Sequence, residues 1–356
     1  MGRRAPPKAA YAKAACSLTI CALASSPLVA CGGPQGEPLT ITVPRGATLQ
    51  SVSDTLVARG IVGSRRGFYY FARARRDARQ IRAGRYSFRA GEGWRNILDD
   101  LTAGRVLTVP FTVPEGLRLP EIAERIANFS GEPAADVLGR IDGDSTHLAW
   151  NVPGPGLEGY LFPDTYRFAD GVDAGQVIDV MIERYHSAWT NERRARLEQL
   201  GMTEVEAMTL ASIVQAEARH LDEMPTIAAV YHNRLDIRYP LQADPTVLFA
   251  LGGWRERLLF AAIDSVADHP YNTYTHPGLP PGPIGAPGEA ALDAALNPAD
   301  VEFLYFVARP DGTHIFTMSL QEHNAARVTV RREWAQVRRN AARQADSASA
   351  GSGSEP

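Results

Sequence analysis

The period of hydrophobicity changes once along this chain, near Pro114, and that change limits the fold to a mixed architecture in two parts. Before it, "LTITV" (39–43), "AGRYSF" (83–88) and "VLTVPFTV" (106–113) read as strands. Between them lie three short helical periods: "TLQSVSDTLVARG", closed by Gly60, "RRGFYYFARAR", and "GWRNILDDLTAG", closed by Gly104. Strands and helices taken in turn make a small α+β module over residues 39–112. Beyond Pro114 the 3.6-residue period dominates, in "LPEIAERIANF", "AADVLGRI" and "GQVIDVMIERYHSAWTNERRARLEQL". A hairpin is expected in "FLYFVARPDGTHIFTM", turning at Asp311-Gly312. The expected fold class is α+β: the small module, then a larger, mainly helical domain over 113–338 with one short hairpin. Residues 339–356 end in small polar residues and are expected to be disordered.

Composition excludes several classes of function. The chain has 356 residues, 45% hydrophobic and 22% charged, enough for two cored domains. Formal net charge is -3, which gives no overall basic excess for tracking a phosphate backbone, so nucleic acid is not an expected partner. Cys16, Cys21 and Cys31 leave the rest of the chain without thiols, so no disulfide framework or cysteine nucleophile is available there. The eight histidines include no H-E-x-x-H arrangement; no metal site or cofactor is called for.

The first 31 residues read as a targeting segment or membrane anchor. Arg3, Arg4, Lys8 and Lys13 precede the apolar run "AACSLTICALASSPLVA". That run is shorter than the roughly 20 residues that span a bilayer. It ends in "LVAC", which resembles a bacterial lipobox with Cys31 as the lipidated residue; a plain secretory signal or an uncleaved anchor remains open. All of these place the body outside the cytoplasm. Residues 32–38, "GGPQGEP", read as a flexible tether.

One charged residue falls in an unexpected place. Thr203 and Glu206 form a capping box, which fixes the start and the phase of a helix through "VEAMTLASIVQAEA". In that phase Leu210, Ile213, Val214 and Glu217 share the side that should face the interior, while Gln215 points elsewhere. A buried carboxyl has a raised pKa and serves as a proton donor near neutral pH. The competing reading makes Glu217 a rim residue paired with Arg219, Arg234 or a backbone donor. Periodicity alone favours the rim.

Motifs elsewhere change that balance. "ASIVQAEA", "EMPTIAAVYHNRL", "LQADPTVLFALG" and "YNTYTHPGLPPGPIGAPG", in that order and preceded by "LEGYLFPDTYRF", resemble the MltG/YceG family of endolytic murein transglycosylases. The module carrying "AGRYSF", "ILDDLTAGRV" and "VPEGLRLPEIAERIA" fits the N-terminal part of that family, which resembles a LysM domain. The likeness runs from about Leu39 to Asn324. It implies a lyase at the periplasmic face of the cell membrane that cuts peptidoglycan glycan strands internally, alongside peptidoglycan synthases, to leave 1,6-anhydro ends. The family motif often reads E-K-E; here its first position is Gln215, which leaves Glu217 to carry the acid. A noncatalytic peptidoglycan-binding scaffold and a lysozyme-like hydrolase are the alternatives.

Further residues are candidates for binding substrate. Asp244 is the obvious second carboxylate, although Asp before Pro245, with Gly252 as a stop, is also the pattern of a helix N-cap. Gln242 is suited to hold a sugar amide or hydroxyl. Tyr271, Asn272 and Tyr274 lead into a loop too rich in Pro and Gly for a helix or central strand, and are read as a groove wall or as packed turn residues. Glu158, among the aromatics Tyr160, Phe162 and Tyr166, lines the same groove or belongs to core; Ser212 bonds substrate or the preceding helical turn. Asn233 and Arg234 orient Glu217 or end a surface helix.

Overall fold

The computed structural model describes residues 35–75, 80–143, 146–253 and 258–351, with side chains to residue 344. Cys31 and the leader lie outside the described residues. The chain divides into two compact units, one ending at Arg105 and the other beginning at Val106.

The first unit contains β1 (Gln35–Val43), α1 (Leu49–Ala58), α2 (Arg65–Ala74), β2 (Gly84–Ala90) and α3 (Trp94–Ala103). β1 and β2 pair antiparallel, with Leu39 opposite Phe88 and Val43 opposite Gly84. Alternation along both strands buries Ile41, Val43, Tyr86 and Phe88, and the helices of this unit bury Leu56, Phe68, Ile97 and Leu101. Helix α3 ends at Gly104 in the left-handed region, φ 71°, as its glycine stop predicts. The tether is shorter than its sequence suggests. β1 begins at Gln35, whose pairing with Ala90 continues the ladder across an irregularity before Leu39.

The second unit opens with β3 (Thr108–Thr112), α4 (Leu119–Ser130), α5 (Ala134–Ile141), α6 (Thr146–Ala149) and β4 (Thr165–Ala169). Then follow α7 (Ala174–Ala188), α8 (Asn191–Leu200), α9 (Glu204–Glu217), α10 (Met224–Asp236), α11 (Asp244–Ala250), α12 (Phe260–Asp264) and α13 (Glu289–Leu296). A hairpin of β5 (Tyr305–Ala308) and β6 (His314–Thr317) leads into α14 (Leu320–Gly351). Mixed helix and small antiparallel sheets make the chain α+β, as expected.

Two segments depart from the sequence reading. β3, grouped with the small module on its β-branched composition, pairs instead with β4, Thr108 opposite Ala169 through Thr112 opposite Thr165. Its Phe111 joins Phe129, Tyr166 and Phe168, ring centroids 4.9 to 6.4 Å apart, and that aromatic cluster lies in the second unit. The tail from 339 is helical as far as Gly351. Its alanines and arginines favour helix, and no proline interrupts them before Pro356.

Helix α9 is the centre of the second unit. Thr203 Oγ1 accepts the Glu206 N–H at 3.2 Å and the Glu206 carboxylate accepts the Thr203 N–H at 2.7 Å, closing the expected capping box. Every residue from Ala207 to Val214 is buried, so the helix has no solvent face along its middle. The apolar stripe therefore does not distinguish Glu217. What distinguishes it is its place at the last residue of α9, where the surrounding shell opens.

Candidate active site

Glu217 emerges into a cavity of about 490 Å³ whose lining includes Tyr231 and Arg234 from α10, Gln242, Asp244 from α11, and Tyr274. Tyr231 and Arg234 are three residues apart, which puts both on the face of α10 turned to the acid. The Tyr231 hydroxyl donates to Glu217 Oε1 at 3.1 Å. The rim-pairing expectation is not met: among the described residues no cation stands at ion-pair distance from Glu217, and Arg234 spends its guanidinium on the carbonyls of Leu304, Pro240 and Leu241. Those three bonds hold Arg234 rigid between α10, the segment before α11 and the hairpin.

The electrostatics of the acid follow from this packing. Desolvation pushes the Glu217 carboxyl up to about 7, and the Asp244 charge adds to the rise. The Tyr231 hydrogen bond and the Arg234 charge pull the other way. Near neutral pH the group is divided between acid and base forms.

The segment leading into α11 is fastened by the loop that follows it. The Thr273 carbonyl accepts the Gln242 N–H at 3.1 Å, and Thr273 Oγ1 accepts the Ala243 N–H at 3.0 Å. Gln242 adopts a left-handed backbone, φ 49°, a strained conformation for a residue with a Cβ. Strain of this kind marks a position held by its surroundings. The Pro/Gly-rich loop is in turn pinned to α9, since Ser212 Oγ accepts the Ile284 N–H at 3.0 Å and Gln215 Oε1 accepts the Gly288 N–H at 3.0 Å. At Gly285 a Cβ would sit 3.0 Å from the Gly116 carbonyl oxygen, so this close crossing leaves little room for a side chain.

The model of the YceG-like family matches residues 41–329. The chain belongs to the YceG-like family. This YceG-like chain is 32% identical over 307 residues to the endolytic murein transglycosylase of Bacillus subtilis (strain 168), covering 81% of the chain and 84% of the relative. It is 27% identical over 314 residues to the endolytic murein transglycosylase of Streptococcus pneumoniae serotype 2, covering 80% of the chain but 56% of that longer relative. A crystal structure of a YceG-like protein from Listeria monocytogenes superposes with a TM-score of 0.57 at 31% identity, covering 81% of this chain and 98% of the other.

The remaining candidates divide into three groups. Gln242, Asp244 and Tyr274 share the cavity with Glu217. Asp244 is the first residue of α11 rather than its cap, which falls to Ala243, and its carboxylate takes the Tyr274 hydroxyl at 2.5 Å. Ser212 and Asn272 are structural. Ser212 is 2% exposed and donates to the Thr209 carbonyl, and Asn272 is fully buried, donating to the carbonyls of Ile263 and Val266 and accepting the Tyr274 N–H. The expectation that these two contact substrate is corrected: their polar atoms are spent on the backbone. Asn233 likewise braces the chain, donating to the carbonyls of Val301 and Phe303. Glu158 and Tyr271 face a different cavity, lined also by Arg118 and Phe249, and so do not form one groove wall with Tyr274. Tyr160, Phe162 and Tyr166 are core.

Sequence reasoning missed Tyr231, although it quoted the motif containing it, and also Tyr305, His323 and Arg327. His323 stacks on Tyr305 at 5.3 Å, and burial with the neighbouring Arg327 and Arg234 charges lowers its pKa. The i, i+4 spacing of His323 and Arg327 was the available signal. A common helix face does not say which cavity that face meets.

Proposed function

We propose that the chain is an endolytic peptidoglycan lytic transglycosylase, cleaving the bond between N-acetylmuramic acid and N-acetylglucosamine within glycan strands and so limiting their length. The reading is carried by Glu217, a carboxyl with its pKa raised to about 7, opening into a cavity at the end of the central helix of a YceG-like fold. The names of the Bacillus and Streptococcus relatives supply the substrate and the reaction class.

In the proposed reaction Glu217 acts twice. As an acid it gives its proton to the glycosidic oxygen as the bond from that oxygen to C1 of muramic acid breaks. The positive charge that develops at C1 is shared by the N-acetyl group of the same sugar. Glu217, now a carboxylate stabilised by the Tyr231 hydroxyl, takes the proton of the muramic C6 hydroxyl, whose oxygen closes on C1. The proton count returns to its start and no water is consumed. A pKa near the working pH suits a group that must both give and take a proton.

The presence of Asp244 in the same cavity favours a second reading, a lysozyme-like hydrolase in which two carboxylates flank the bond. Mass analysis of digested strands separates the two: anhydro ends support the transglycosylase, and ends one water heavier support the hydrolase. The Gln215 departure gives little support to a noncatalytic scaffold, because Gln215 is engaged with Gly288 and its amide removes no acid from the cavity. Glu217→Gln is expected to lower strand cleavage by about 10² to 10⁴; turnover comparable to the parent would end the assignment.

In this reading the first unit acts as a LysM-like module that holds glycan, and the domain over 113–338 is catalytic. The leader directs the chain to the extracytoplasmic face of the cell membrane and lipidated Cys31 holds it there, near the synthases that supply new strands. A mature mass matching a diacylated N-terminal Cys31 is the expected result, and an intact, unmodified leader would refute lipidation.

A further inference from the structure

The second cavity, about 370 Å³, contains Glu158, Arg118, Asp142, Phe249 and Tyr271. Arg118, just before α4, lays its guanidinium over the Phe249 ring at 4.5 Å, and the Phe249 ring lies 4.6 Å from that of Tyr271. Stacking fixes the planar fork in place. The Arg118 charge acts on the Glu158 carboxyl, and among the described residues its Nε is buried without a hydrogen-bond partner. A buried donor of this kind is rare unless something else satisfies it. Nearby, the Glu158 carboxyl accepts the Leu119 N–H at 3.2 and 3.3 Å, and burial pushes it up to about 7, so that it is in part a neutral donor.

Three chemical characters meet here: a fixed cation, a carboxyl that donates, and the anion Asp142. A short peptide bearing both carboxylates and an ammonium group matches such a set, and an arginine fork held flat is the best protein partner for a carboxylate. Arg118 and Tyr271 both pack against the Phe249 ring.

The cavity is also close to the acid. Arg118 and Phe249 line an adjoining hollow with Ala216 and Pro245, the immediate neighbours of Glu217 and Asp244. Helix α11 carries Asp244 at its first position and Phe249 five residues on, about 7.5 Å along the axis at 1.5 Å per residue. A single helix thus links both cavities.

We infer that this second cavity takes the short, charged peptide stem attached to the glycan, with Arg118 holding a stem carboxylate. The inference rests on the proposed peptidoglycan reading and adds to it the part of the polymer that is recognised away from the broken bond. Arg118 is then a specificity-determining residue.

The test measures binding of the full chain to two soluble probes by titration calorimetry: the disaccharide of N-acetylglucosamine and N-acetylmuramic acid carrying its tetrapeptide, and the same disaccharide after the peptide is removed. The peptide-bearing probe is expected to bind about 10-fold tighter or more, the range for hydrogen bonds to charged groups. Arg118→Met should bring the ratio near one, and Arg118→Lys, which keeps the charge but loses the fork, should recover part of it. Equal binding of the two probes by the parent chain would overturn the inference, as would a ratio that survives in Arg118→Met. Should Arg118→Met not fold, the parent ratio and Arg118→Lys still decide. Strand cleavage, measured separately, isolates the other reading: a preserved ratio without cleavage refutes the transglycosylase, while cleavage with a ratio of one refutes only the peptide site.

Discussion

Glu217 and Glu158 are a matched pair in one respect and opposites in another. Both carboxyls are pushed up to about 7, and in both the first cause is desolvation. Glu158 is tied through both oxygens to the Leu119 N–H, whereas Glu217 has one hydroxyl donor and the Asp244 charge beside it. A raised pKa therefore identifies a buried acid and not a task. The company of the acid differs: Asp244 opposes ionisation of Glu217, while Arg118 favours ionisation of Glu158.

The sharpest way to break this comparison is to neutralise each acid in turn. Glu217→Gln should cost about 10² to 10⁴ in strand cleavage, the usual weight of a positioned proton donor. Glu158→Gln keeps a hydrogen-bonding group of the same shape and should cost less than about tenfold, the scale of one modest hydrogen bond. Equal losses in a strand-length assay would abolish the distinction between the two sites.

Much of this difference was legible locally and little of it at a distance. Thr203 and Glu206 fix α9 because a capping box is contained within four residues, and the Asp311-Gly312 turn sets its hairpin for the same reason. Glu217 could be singled out as an acid in an apolar helix. Its surroundings could not, because Tyr231, Asp244, Tyr305 and His323 line its cavity from α10, α11, β5 and α14. Polar residues near a motif misled for a related reason. Ser212 and Asn272 look equally fit to hold a sugar or a backbone amide, and only the folded path of residues 271–288 shows that the backbone takes them. β3 found its partner 53 to 61 residues away, and its own β-branched pattern carries no record of which strand that is.

Stability is where the two acids should behave alike. A carboxyl whose folded pKa is about 7, against an ordinary 4.5, holds its proton more tightly in the folded state. Between those values the folded chain binds more protons than the unfolded one, so stability falls as pH rises through this window, and the full penalty is present above about 7. For each group the penalty is on the order of 3 kcal/mol at most, from 1.36 kcal/mol per unit. Both Glu217→Gln and Glu158→Gln should therefore melt higher than the parent at pH 8, with the advantage gone near pH 4.5. Thermal melts across that range provide the check, and a gain at pH 8 confined to one variant would show that the two burials are not equivalent.

Asp244→Asn gives the smallest effect and the finest discrimination. The Asp244 charge raises the Glu217 pKa, and nothing in the surroundings of Glu158 involves Asp244. Removing the charge lowers the Glu217 pKa alone, so the alkaline limb of the cleavage profile moves to lower pH while activity on the acid side is largely kept. At pH 8 the loss should be about tenfold or less, the weight of about one unit. Carbon-13 titration of the glutamate carboxyls should show Glu217 moving and Glu158 fixed. A loss of 10² or more that is flat across pH would instead mean that Asp244 takes a chemical step itself, and that outcome would replace the single-acid transglycosylase with the two-carboxylate hydrolase.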